Sequence, residues 1–199
     1  MNRITGLVAS FSLLLTLSAC GSSPPVRYYS LEVLETNYQR DSEPALALGI
    51  GPLRGPDYLS RSRIVTRGSD SEVNIDDFNR WVEPVDDALY RIVATNVDAL
   101  LDGVVTIAFP YSGFSGIEYR VVGRINRFDA DQDGRTVLLA QWGIVNADSE
   151  FVVQPRRARY EAQARASGDY SAIAAAMSEA LQDFSRDIAA EFEKAGLAP

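Results

Sequence analysis

Residues 117–162 read, in succession, IEYRVVGRINRF, DADQDG, RTVLLAQWGIV, NADSE and FVVQPRRARYEA. The three long pieces are rich in β-branched and aromatic residues, which suit a pleated, half-buried surface. The short pieces between them consist largely of Asp, Asn, Ser and Gly, the residues that close turns. Connections this short join antiparallel neighbours, because a parallel return needs a crossover of a dozen residues or more. Residues 104–109 (VVTIAF) have the same strand character, and Pro110, Gly113 and Gly116 divide them from the next run. The reading is an antiparallel meander over 104–109, 117–128, 136–145 and 151–162.

On either side of this block the apolar period changes from two to 3.6. In 84–101, Val85, Leu89, Ile92, Val93, Val97, Leu100 and Leu101 recur at three and four, Pro84 suits the first turn, and Gly103 stands past the end. In 169–194, Ile173, Met177, Leu181, Phe184, Ile188 and Phe192 share one helical stripe, and Gly196 marks the stop. Upstream, 27–34 (RYYSLEVL) and 45–53 (ALALGIGPL) alternate as strands, and 54–73 reads as strand and loop around 64–67 (IVTR). The order implies an α+β class: a mostly antiparallel sheet with two amphipathic helices packed on one face, forming a single domain over 27–199.

Residues 1–19 have a basic start at Arg3 and an interrupted apolar run, the pattern of a signal peptide rather than of a membrane-spanning helix. Leu17-Ser18-Ala19-Cys20 then has the form of a lipobox, in which small residues precede the cysteine that takes the lipid. Cys20 is accordingly the expected lipidation site, the alternative being ordinary cleavage after Ala19 with a bystander thiol, and residues 20–26 form the lipidated cysteine and a flexible tether. Acyl chains on Cys20 would hold the protein to membrane lipid. Gly21 stands where aspartate would favour inner-membrane retention, so resemblance to sorted lipoproteins implies the periplasmic face of the outer membrane.

Charge and composition remove other classes of function. Without Arg3 the chain has 18 basic and 27 acidic residues, which disfavours nucleic acid as a partner and leaves any lipid contact to local charge. One cysteine excludes an internal disulfide, and the absence of histidine removes the commonest general base and zinc ligand. No cofactor or metal is implied. Asp129, Asp131, Asp133 and Gly134 resemble the opening of a calcium loop, but Ala140 stands where the bidentate Glu belongs, so a polar hairpin turn is the better reading. Gly49/Gly51 and Gly113/Gly116 lack phosphate-loop spacing and read as turns. Arg156, Arg157 and Arg159 form a small basic cluster that could meet a phosphate or an acidic partner, with solvated residues that blunt a strand edge as the more ordinary reading. Tyr58, Tyr111, Phe114 and Tyr119 are candidates for a groove or interface, with core packing as the ordinary alternative.

The lipobox, YYSL at 28–31, Gly51-Pro52, Tyr58-Leu59, IVTR at 64–67 and RWVEP at 80–84 follow one another as in the ABC-type transport auxiliary lipoprotein family of the PqiC/YmbA type, which this chain resembles over nearly its whole length. Val82 and Val85 depart conservatively from the alanine and leucine expected there. The resemblance implies a non-catalytic component of a lipid transport system, partnered by an MCE-domain protein and an inner-membrane permease, with a homo-oligomeric ring as a further arrangement. Arg80, Trp81, Glu83 and Tyr58 are its candidate partner-facing residues; the alternative is that Trp81 packs inward while Glu83 and Pro84 start the helix. A structural envelope lipoprotein, or a carboxylate-dependent hydrolase, are the rival readings.

Overall fold

The computed structural model describes residues 24–35, 44–69 and 71–199, so Cys20 and the start of the tether lie outside the described part. Among these residues one sheet contains β1 (Arg27–Tyr29), β2 (Leu46–Arg54), β3 (Arg63–Arg67), β4 (Val73–Trp81), β5 (Val104–Ala108), β6 (Tyr119–Asp131), β7 (Arg135–Asn146) and β8 (Phe151–Gln163). Helices α1 (Val85–Leu100) and α2 (Tyr170–Lys194) lie side by side on one face of it. The class is α+β.

The antiparallel core is β6, β7 and β8, whose two ladders are the longest in the sheet. Local chemistry closes both hairpins. Asp131 accepts hydrogen bonds from the backbone N–H groups of Asp133 (3.0 Å) and Arg135 (2.9 Å), and Gly134 takes the positive φ of the turn. Asn146 accepts from the Glu150 N–H at 2.9 Å in the second. A register shift between Ile125 and Arg127 inserts one residue into β6, so Ile125 and Phe128 both face the helices although they are three apart.

The sheet as a whole is mixed. β3 pairs β4 antiparallel, while β1–β4, β2–β5, β2–β6 and β3–β6 are parallel. Residues 104–109 therefore do not extend the meander as expected. β5 pairs β2 from Leu46↔Val104 to Ile50↔Ala108, and the chain between them, which passes through β3, β4 and α1, is long enough for the crossover that a parallel neighbour needs. The expected strand at 27–34 ends at Tyr29. Beyond it the chain leaves the sheet and runs along the helices, where Ser178 accepts from the Glu32 N–H (2.9 Å) and Asn96 from the Leu34 N–H (2.8 Å). Its alternation reflects packing on α1 and α2. Conversely, β4 extends back to Val73, where Asp76 and Asp77 interrupt any apolar period.

Both helices bury the stripe read from the sequence. Leu89, Ile92 and Val93 of α1 and Leu181, Phe184, Ile188 and Phe192 of α2 pack on Leu48, Ile50, Phe128 and Trp142 of the sheet. Each such side chain contributes about 1.5–3 kcal/mol through removal from water. Asp169 caps α2 by accepting from the Ser171 N–H at 2.9 Å. At the other end the Gly196 N–H reaches Glu193 O and the Leu197 N–H reaches Phe192 O, a paired closure that the positive φ of Gly196 permits.

Candidate functional site

The end of β4 and the 3-10 turn at Asp57–Ser60 bring Tyr58 and Trp81 to one seam with Leu59, Val85, Phe128 and Met177. The void there is about 10 Å³, at the lower limit for a single water. Trp81 is buried, and its backbone N–H donates to the Ser62 carbonyl at 2.6 Å. Arg80 points to the opposite face of the sheet, where its Nη2 donates to Asp77 O at 3.4 Å and its buried Nε has no acceptor among the described residues. Glu83 forms an ion pair with Arg91 on α1. The four candidates thus divide: Tyr58 and Trp81 meet in the interior, whereas Arg80 and Glu83 have separate surroundings.

Tyr58 belongs to a polar node centred on Asp129. Its hydroxyl donates to Asp129 Oδ2 at 2.8 Å and accepts from the Phe128 N–H at 2.9 Å. Arg67 Nε lies 3.0 Å from both carboxylate oxygens, and Arg127 Nε lies 2.7 Å from Oδ1. Asp129 is only 2% exposed, while Arg67 and Arg127 remain 32% and 24% exposed. Burial, and then the neighbouring carboxylate, push the Tyr58 pKa up to about 12. One carboxylate therefore fixes two guanidinium groups by their Nε edges. The calcium-loop resemblance is thereby resolved as structure: Asp129 is committed to these partners and Asp131 to the hairpin.

Other sequence features fall into place around this frame. Arg156 is not a solvated edge residue, since it binds Asp187 (3.1 Å) and Glu191 (2.8 Å) of α2 and lies 5.5 Å from the centroid of the Trp142 ring. Tyr160 donates to the same Asp187 at 2.6 Å, fastening β8 to α2. Arg157 and Arg159 are exposed, as the edge reading required. Gly49 lies within strand β2 rather than in a turn, and a Cβ there would stand 2.8 Å from the Tyr111 ring, whose hydroxyl donates to Gly51 O. Tyr119 packs edge-on against Phe192, while Phe114 is exposed.

Among the described residues four carboxylates have shifted pKa values, Asp76, Glu161, Asp169 and Glu191, and all move down. A carboxylic general acid needs the opposite shift. No helix of the described residues is long and apolar enough to cross a membrane.

Comparison with known proteins supplies the lineage. The chain is 25% identical over 145 residues to the intermembrane transport lipoprotein PqiC of Escherichia coli (strain K12), covering 72% of this chain and 75% of that protein. Two crystal structures share the fold. One, of an uncharacterized protein, has a TM-score of 0.71 at 21% identity and covers 85% of this chain and 99% of its own. The other, protein XCC0632 from Xanthomonas campestris, has a TM-score of 0.67 at 18% identity, covering 86% and 97%. The family model described as the ABC-type transport auxiliary lipoprotein component matches residues 29–189, from the end of β1 well into α2, and the chain belongs to that family.

Proposed function

We propose that this protein is anchored by acylated Cys20 to the periplasmic face of the outer membrane and acts there, without catalysis, as the docking component of an intermembrane lipid transport system. An MCE-domain protein would form the conduit and an inner-membrane permease would complete the system, with copies of this chain arranged around the conduit end. The supporting observation is the family match over 29–189, which takes in nearly all of the fold and begins nine residues after the lipobox cysteine. In this reading residues 1–19 are removed, residues 20–26 hold the domain off the bilayer, and 27–199 fold as one unit. The sheet and helices then serve as a rigid platform, since the polar node at Asp129 and the Arg156 cluster tie elements together.

The test is an affinity pull-down from crosslinked cells that express the wild-type chain or Cys20→Ala. MCE-domain and permease subunits should be recovered with the wild type and lost or reduced with the variant. Recovery of neither subunit with the wild type would remove the transport reading. Incorporation of labelled palmitate into the wild type but not into Cys20→Ala tests the anchor separately.

A further inference from the structure

On the face of the sheet away from both helices, ladder register gathers basic side chains into rows. Arg54 of β2 lies beside Arg124 of β6, Arg124 beside Gln141 of β7, and Gln141 beside Arg157 of β8. All three arginines are exposed, and among the described residues none of their guanidinium groups has a hydrogen bond or ion pair. Like charges set directly opposite on neighbouring strands repel. Arg63 and Arg80 repeat that juxtaposition across β3 and β4, with Asp77 compensating Arg63 at 3.2 Å. The helical layer has the opposite sign: α1 contains three acids and one base, α2 five and two. The arginine face also holds Glu161, shared by Arg135 and Arg159, and Asp129, shared by Arg67 and Arg127, so each of these acids meets two bases and the face of a chain of net charge −8 stays basic.

Among the described residues no acid pairs with the Arg54–Arg124–Arg157 row, which leaves it open to an anionic complement from outside. We infer that this face docks flat on an anionic phospholipid bilayer, with these arginines and Arg80 engaging headgroup phosphates. Guanidinium forks match phosphate oxygens bidentately. Tyr28, 62% exposed, is the register neighbour of Arg80 on the same face, and a tyrosine with a wet tip suits the headgroup level.

The tether permits the pose. β1 begins seven residues after Cys20, a reach of about 25 Å at most. Crossing the sheet from β1 to β8 takes roughly 24 Å at ordinary strand spacing. The geometry rests on the anchoring reading above, while the recognition of phosphate does not.

The experiment uses the full chain with Cys20→Ala, which cannot be acylated, and sediments it with vesicles of phosphatidylcholine alone or mixed with phosphatidylglycerol. Capture should require phosphatidylglycerol and weaken as salt screens the surface. Each basic residue at an anionic surface raises partition by about fivefold, so replacing Arg54, Arg124 and Arg157 with Gln should lower it by roughly a hundredfold. Arg186→Gln on α2 should leave it unchanged. Relief of repulsion means the triple variant should melt no lower than its parent; if it does melt lower, the triple Lys variant, which keeps the charges, must retain binding. Equal capture by both vesicles, or an unchanged triple variant, would overturn the inference. Loss of a crosslinked acidic protein without any phosphatidylglycerol dependence would assign the face to that protein instead. Palmitate labelling that persists while vesicle capture fails sinks the docking face alone; capture without labelling sinks only the anchor.

Discussion

Replacing Asp129 with alanine would leave Arg67 and Arg127 held close together with no counter-charge and would deprive the Tyr58 hydroxyl of its acceptor. Breaking a buried charge group in this way costs about 3–5 kcal/mol, and urea unfolding should show that loss without a change in slope. Tyr58→Phe keeps the ring but leaves the buried Phe128 N–H unpaired, so a smaller loss of about 1–3 kcal/mol is expected. If Tyr58 instead met a partner directly, Tyr58→Phe would weaken partner recovery while leaving the urea midpoint in place. Of this node only the Arg127–Asp129 pair, two residues apart on β6, is local in the sequence. Tyr58 and Asp129 are 71 residues apart and Arg67 and Asp129 are 62 apart, so nothing local marks them as partners. What was local is the hairpin: Asp131 and Gly134 act as turn residues, as their types suggested.

Elements were legible in proportion to how far their own period determines them. α1 and α2 lie where the 3.6 repeat placed them, because a buried helix stripe depends only on facing some apolar surface. β5 shows the limit: its composition identified a strand, but alternation is the same whether the neighbour is β6 or β2. β4 was missed because Asp76 turns inward to accept from the N–H groups of Phe78 (2.7 Å) and Asn79 (2.6 Å), replacing apolar contact with hydrogen bonds. The C-terminus of α2 gives a clean test of local chemistry. A Cβ at Gly196 would meet nothing within 4 Å, so Gly196→Ala carries only the cost of a left-handed backbone, about 1–2 kcal/mol. A loss well above that range would mean that residues 195–199 pack more tightly than the open surroundings of Gly196 imply.

At the scale of the whole molecule, the lack of histidine removes the side chain that ordinarily titrates near neutrality, and stability should be level from about pH 6 to 9. The limits lie outside that window. Burial raises Tyr111 to about 12, and burial assisted by the Asp76 carboxylate raises Tyr170 equally, joining Tyr58. Tyr160 is pushed up further by burial and then by its bond to Asp187. A tyrosine whose folded pKa exceeds its unfolded value of 10.0 favours folding fully below pH 10 and loses that contribution as pH rises through about 12. Asp76 behaves in the opposite sense. Burial pulls it up, but the Asn79 and Phe78 N–H groups and the Tyr170 hydroxyl outweigh burial, so its contribution disappears as pH falls below 3.8. The alkaline limb should be the more distinctive, because five tyrosines of the described residues weaken together: Tyr58 ties the 3-10 turn to β6, Tyr90, also raised by burial, joins α1 to Leu53 O of β2, Tyr111 crosses β2, Tyr160 fastens β8 to α2, and Tyr170 holds the start of α2 near β4. The urea midpoint should therefore begin to fall near pH 10, and absorbance at alkaline pH should show fewer ionised tyrosines in the folded chain than in urea. Tyr160→Phe should make the fall shallower by removing one of the five, whereas an unchanged slope would mean that Tyr160 ionises in the folded protein as it does in the unfolded chain.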